Sequence, residues 1–493
     1  MTLTTIRVPL YFLAIALLSR ASGAIYQDQE PPKPAPAART EAGNHPQGDD
    51  EFVSQFIARY NKDDFRGVYA LASDGFRKGI GEGQFVAFLR RNRNGGDIIR
   101  SVFESREAGA STYRLEMQGR DMLLTVRVEP PGRFGSFGLR NAPVALLARA
   151  GDVRSDNPMS TPLDRAVDAA VRIYFLHPHA VGLSIGLIGD GKRHAYHYGV
   201  TARDRVEIPN SATPYEIGSI TKTFTATLLA RAVIEGKVAL DDDVRKHLGA
   251  GYPGLEFADR PITLRDLANH TSRLPTLPED VGSQPGASPL TPEANYNAEA
   301  FDAALRRFKL DGNPGEAFSY SNWGFALLGQ VVAKACGRPY AELLASDILN
   351  PLRMASTTYK ASDEVRRRAA VGHFENGRVA PYQDGGMFGP AGDIVSDLDD
   401  MLAYLEAQLG ETTPAIALTH QPTAQGMGLG WGVRTRDGRR EIQHNGSTYG
   451  FTSHISGFPG SGRGLVILSN SKAPLGGLIA AIQAELLKER DRR

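Results

Sequence analysis

Ser219-Ile220-Thr221-Lys222-Thr223-Phe224-Thr225-Ala226-Thr227-Leu228-Leu229 is the stretch on which the reading of this chain turns. A strand-like segment gives way to a helix there, which puts Ser219 and Lys222, at i and i+3, on one helix face. A hydroxyl becomes a useful nucleophile once a neighbouring base takes its proton, and a lysine stripped of water is such a base. Phe224, Leu228 and Leu229 make the helix apolar on most sides, which supplies the burial. Spacing alone is a weak signal, because a chain of this length holds about one chance match. A second match does occur, Ser469-Asn470-Ser471-Lys472. It closes a strand and runs into Ala473-Pro474 instead of a helix, and so reads as the chance match.

Two further elements lift the first match. Pro314-Gly315-Glu316-Ala317-Phe318-Ser319-Tyr320-Ser321-Asn322 precedes a helix carrying Leu327 and Leu328. Tyr320 can act as a second base or proton shuttle, and Asn322 can donate to a substrate carbonyl. A turn, a core tyrosine and a helix cap would account for the same residues without chemistry. Later, His444-Asn445-Gly446-Ser447 ends a strand ahead of Thr448-Tyr449-Gly450-Phe451. The glycine lets a substrate backbone lie close against the strand edge. Each element alone recurs by chance; the ordered set of three, each in its own setting, is specific.

The rest of the chain frames this set. Its 493 residues are 41% hydrophobic and 23% charged, which excludes wholesale disorder, collagen-like sequence and a polytopic membrane protein. The length corresponds to two or three domains at about 150 residues each. With 56 Lys+Arg against 55 Asp+Glu the net charge is +1, which argues against nucleic acid as a partner. The one cysteine, Cys336, excludes an intrachain disulfide and a Cys-rich metal site, and reads as inert packing. Arg7, an apolar run over 8–18 and Ser22-Gly23-Ala24 have the layout of a secretory signal peptide over 1–24. That run is shorter than the ~20 apolar residues a membrane span needs, and no later segment is apolar enough. A Pro-rich linker is expected over 25–50, and a small α+β accessory domain over 51–150. The larger unit, 161–493, has a hairpin at Asp190-Gly191, a helical middle and strands at 429–435, 441–444, 451–456 and 464–469. Strands from both ends of this unit imply one antiparallel sheet.

These motifs resemble the serine β-lactamase and penicillin-binding protein superfamily, whose class A signature is Ser-x-x-Lys, Ser-Asp-Asn and Lys-Thr-Gly. Tyr-Ser-Asn and His-Asn-Gly in this chain are more similar to the branch of class C β-lactamases, D-alanyl-D-alanine carboxypeptidases and related esterases. The stretches 236–242 and 264–275, with His270-Thr271-Ser272, agree. The accessory domain resembles the nuclear-transport-factor-2-like cone fold. The resemblance implies an α/β fold: an antiparallel sheet flanked by helices, an all-helical lobe, and the site between them. It further implies Ser219 as acylated nucleophile, Lys222 as its base and Tyr320 as proton-transfer partner. The backbone amides of Ser219 and Ser447 would form the oxyanion hole, with Asn322, His444 and Gly446 binding substrate. Arg273 and Arg353 depart from it, standing where relatives often have glycine.

The function expected is an exported serine hydrolase, periplasmic or secreted, acting on an ester, amide or β-lactam. The alternatives are a silent penicillin-binding sensor or scaffold, or a D-alanyl-D-alanine carboxypeptidase or class C-like β-lactamase proper. No cofactor and no metal are expected. The partner is a small-molecule or peptide substrate, with no nucleic acid and no membrane span after signal removal. Because histidine has an ordinary pKa of about 6.5, His444 where relatives carry lysine predicts weak attraction for substrate carboxylates.

Overall fold

The computed structural model describes residues 47–488, so the expected signal peptide and all but the last residues of the linker lie outside them. Helix α1 (Gln47–Tyr60) begins within the stretch expected to be linker. Phe52, Phe56 and Tyr60 recur every four residues on its buried face. After α2 (Phe65–Ala70), α3 (Asp74–Gly79) and α4 (Glu82–Asn92) come the strands β1 (Ile98–Glu107), β2 (Ala110–Met117), β3 (Asp121–Glu129) and β4 (Arg133–Asn141). They form an antiparallel sheet in sequential order. Alternate residues Tyr113, Leu115 and Met117 of β2 point into the core. Phe56, Phe85, Phe134 and Phe137 pack there edge to face and offset. Ser111 Oγ and Tyr113 OH donate to Asp49 and Asp50, pinning the start of α1 to the sheet.

The larger unit opens with α5 (Pro162–Tyr174), started by a Thr161/Asp164 capping box. Strands β5 (Gly182–Gly189) and β6 (Lys192–Gly199) follow as a hairpin. Asp190 and Gly191 both take positive φ at its turn, the conformation for which Asp-Gly is suited. The helical lobe holds α6 (Thr221–Ile234) and α7 (Asn322–Cys336), with α8 (Leu398–Leu409) bridging to the sheet. Strands β7 (Gly432–Arg436), β8 (Arg439–Ser447), β9 (Thr452–Phe458) and β10 (Arg463–Ser469), then α9 (Gly476–Lys488), close the chain. The sheet order is β7-β8-β9-β10-β5-β6, antiparallel throughout, so both ends of the unit complete one sheet as the sequence implied. Leu465 and Ile467 of β10 face α5 and α9, while Val466 and Leu468 face the main core with α8.

Two strand expectations need correction. The strand expected from 429 starts at Gly432, because Leu429 and Gly430 donate their N–H groups to Thr419 and Ala268 in the lobe. The strand expected to end at His444 runs on to Ser447, which pairs with Thr452. Ladder hydrogen bonds carry β8 to the site, where the sequence offered only a loop after a short strand.

Candidate active site

Tyr215–Glu216 pairs with Ile394–Ser396 and then turns through Gly218–Ile220 into α6, bringing Ser219 to the helix start. Gly218 takes φ +52°, and a Cβ on it would lie 2.6 Å from the backbone nitrogen of Ser447. A Cβ on Gly446 would lie 2.0 Å from the Ile217 carbonyl oxygen. Both positions exclude a side chain, and β8 therefore lies directly against the Ser219 turn. Ser453 Oγ fastens this contact by donating to Ile217 O at 2.8 Å.

Two groups converge on the hydroxyl. Lys222 Nζ lies 3.0 Å from Ser219 Oγ, and Tyr320 OH donates to the same oxygen at 2.7 Å. Lys222 Nζ also donates to Asn322 Oδ1 at 2.7 Å and to Ala391 O at 2.8 Å. A neutral amine has two N–H groups and one lone pair. With Asn322 and Ala391 taking the N–H groups, the lone pair is left for the proton of Ser219. Lys222 is wholly buried, and loss of solvation pushes its pKa below the ordinary lysine value, with Tyr320 opposing. The ammonium form is thus disfavoured where a base is needed.

The second motif is held from behind. Ser321 caps α7 by accepting the Gly324 N–H at 2.8 Å. His270 accepts the Ser321 N–H on Nδ1 at 3.0 Å and the Ser319 N–H on its carbonyl at 2.7 Å. Its ring lies 4.4 Å from that of Tyr320. Burial and the Lys222 charge push the His270 pKa well below 6.5, in keeping with an unprotonated Nδ1 acceptor.

A cleft of about 210 Å³ opens over Ser219. Ser219, Asn322 and Ser447 line it, with Thr448 and Tyr449 on one side and Phe388 and Ala391 on the other. A short 3-10 segment (Gly386–Ala391) forms this second wall. Lys222, Tyr320 and Gly446 lie beneath or beside the cleft and do not line it. His444 does not line it either; its Nδ1 meets Asn445 O at 2.7 Å. Burial and the Lys222 charge push its pKa down to about 3, so it is neutral near pH 7.

The beta-lactamase family profile matches residues 163–488, more than half of the chain. The chain belongs to the beta-lactamase family. It is 28% identical over 355 residues to the D-alanyl-D-alanine-carboxypeptidase/endopeptidase AmpH of Escherichia coli K12, covering 67% of this chain and 90% of that protein. A beta-lactamase of Pseudomonas fluorescens is 27% identical over 369 residues, covering 66% and 99%. Among solved structures, the octameric penicillin-binding protein homologue of Pyrococcus abyssi superposes with a TM-score of 0.59 at 25% identity, covering 67% and 78%. The beta-lactamase unit is therefore a serine hydrolase of the β-lactamase and penicillin-binding protein type. Its two departures from the family pattern, Arg273 and Arg353, both adopt the left-handed region at φ +61° and +57°. Arg273 is held there by donating to Asn313 O at 2.8 Å and by an ion pair with Asp311.

Lys472 is the residue that sequence reasoning missed. Ser469 of the second Ser-x-x-Lys match is buried against Tyr174 OH at 3.0 Å and Ser471 Oγ at 3.2 Å. Lys472 turns away from it and donates to Ser447 Oγ and to Thr448 O at 2.8 Å. Thr452 pairs with both Ser447 and Ser469, so the ends of β8 and β10 come level across the start of β9. Strand order was the signal that could have found Lys472.

Proposed function

We propose that this chain is an exported serine hydrolase that forms an acyl-enzyme on Ser219 with an ester, amide or β-lactam carbonyl. Ser219 Oγ attacks the carbonyl carbon as Lys222 Nζ takes its proton. The backbone N–H groups of Ser219 and Ser447 face the oxyanion that develops, preset donors being worth most where water is excluded. The intermediate then collapses, the leaving group departs with a proton relayed through Tyr320, and water repeats the sequence to free Ser219. Asn322, Gly446 and the His444 strand position the substrate. The observation that carries this reading is the convergence of Lys222 and Tyr320 on Ser219 Oγ at the floor of a cleft. Export is supported by the charged and apolar layout of 1–24; among the described residues no helix is long and apolar enough to cross a membrane.

The test is turnover of p-nitrophenyl butyrate, nitrocefin and a D-alanyl-D-alanine peptide by purified protein. At least one should be hydrolysed with a burst, and Ser219→Ala should abolish it. Undiminished turnover by Ser219→Ala would overturn the reading.

A further inference from the structure

Glu216 stands three residues before Ser219, in the two-residue strand Tyr215–Glu216 that leads into the nucleophile turn. It is 4% exposed, and the proton transfers at Ser219 leave it unused. Its Oε1 accepts the Gln383 N–H at 2.6 Å, while Oε2 is buried with no partner at hydrogen-bonding geometry. The Thr448 hydroxyl stands beside the carboxyl. Thr448 Oγ1 accepts the Phe451 N–H at 3.2 Å, so its own proton is left to turn toward Glu216. Gln383 and Thr448 both line the Ser219 cleft, and Glu216 lies behind them.

Gln383 is gripped at both of its donors. Glu216 holds the backbone N–H, and Asp393 holds the side-chain amide, Nε2 to Oδ1, at 3.2 Å. Asp393 also accepts the Gly385 N–H at 2.9 Å, and a Cβ on Gly385 would lie 2.6 Å from its Oδ1. The stretch that leads into the Gly386–Ala391 wall is thus seated on two buried carboxylates. Lys360 Nζ lies 3.9 Å from Asp393, and Arg366, on the short helix Asp363–Arg368, faces Glu216 at longer range. The phenols of Tyr382 and Tyr449 feel the Glu216 charge as well. Burial pushes the Glu216 pKa up to about 7, with Asp393 adding to the rise and Thr448, the Gln383 N–H and Arg366 opposing it. Burial raises the Asp393 pKa too.

We infer, building on the Ser219 acyl-enzyme reading, that Glu216 is a positioning residue that ties the Gln383 side of the cleft to the Thr448 side. Ionised, it accepts from the Gln383 N–H and the Thr448 hydroxyl at once, and hydrogen bonds to a charged acceptor are the stronger ones. Protonated, it holds both more weakly, and the Thr448 side is released. Thr448 directly follows Ser447, whose N–H faces the oxyanion, so the slackening reaches the place where the reacting carbonyl sits. Substrate binding therefore tightens as pH rises through the titration of Glu216.

The KM of the full chain for p-nitrophenyl butyrate, an uncharged ester, measured across the neutral pH range tests this. KM should fall by about threefold, the size expected for one hydrogen bond, in a step centred near pH 7. Glu216→Gln keeps the shape and a carbonyl for the Gln383 N–H without the charge, and should hold KM flat at its wild-type low-pH value. Asp393→Asn removes the neighbouring like charge and should move the step to lower pH, which a merely structural loss would not do. A wild-type KM without the step, or the same step in Glu216→Gln, would overturn the positioning role even with Ser219 acylated normally. If Glu216→Gln does not fold, Asp393→Asn decides, and an unmoved midpoint there overturns the role. Turnover that survives in Ser219→Ala with the step intact would overturn the acyl-enzyme reading and leave Glu216 in its place.

Discussion

The stretches 219–222 and 469–472 share the pattern Ser-x-x-Lys and do opposite things. At the start of α6, three residues make nearly one helical turn, and Lys222 Nζ comes 3.0 Å from Ser219 Oγ. At the end of β10, three residues span about 10 Å of extended chain. Ser469 there is walled in by Tyr174 and Ser471, while Lys472 reaches two strands across to Ser447. A spacing in sequence is a distance only once the backbone conformation is known. The same contrast separates the two lysines: Lys222 is sealed from water, whereas Lys472 stands half-exposed at a cavity wall.

If the helical pair is a catalytic unit, Lys222→Ala should lower kcat on any substrate by about 10³-fold or more, close to the loss from removing Ser219, since members of such a unit are not additive. A Lys222→Ala enzyme retaining a tenth of its activity would erase the distinction between the two pairs. A smaller and graded effect is expected from pH. Burial lowers the Lys222 pKa, and the neutral form is the base, so kcat/KM should rise about tenfold per pH unit up to a plateau that begins below the ordinary lysine value of 10.5. His444, at about 3, should add no step between pH 5 and 9. A limb centred at or above 10.5 would mean that Lys222 is not desolvated in the working enzyme. The smallest effect belongs to the other pair. Ser469→Ala should cost about 1 kcal/mol of stability, because Tyr174 OH keeps Ser471, and should leave kcat unchanged. A fall in kcat without a fall in Tm would give Ser469 a role the geometry denies it.

Which parts of this were legible in sequence follows from what kind of information each needs. The start of α6 and the Asp190-Gly191 hairpin are local, set by periodicity and turn chemistry, and both fall where expected. Ser219, Lys222 and Tyr320 were legible because their motifs sit at element boundaries that local signals mark. Lys472, the Ala391 carbonyl under Lys222 and the His270 support behind Tyr320 were not. Each acts across 25 residues of chain or more, through sheet register or loop packing that no local pattern encodes. His444 shows the limit from the other side. Its side chain lies off the cleft with Nδ1 against Asn445 O, while Lys472 arrives beside Ser447 from another strand, and neither position is set by local pattern.

The central claim is that conformation, not pattern, selects Ser219. The most direct measurement is peptide mapping by tandem mass spectrometry after labelling the intact protein with a fluorophosphonate or a penicillin. The account predicts a single adduct, on the peptide carrying Ser219, with Ser469 and Ser447 unmodified. An adduct on Ser469, or a label persisting at full stoichiometry in Ser219→Ala, would contradict it.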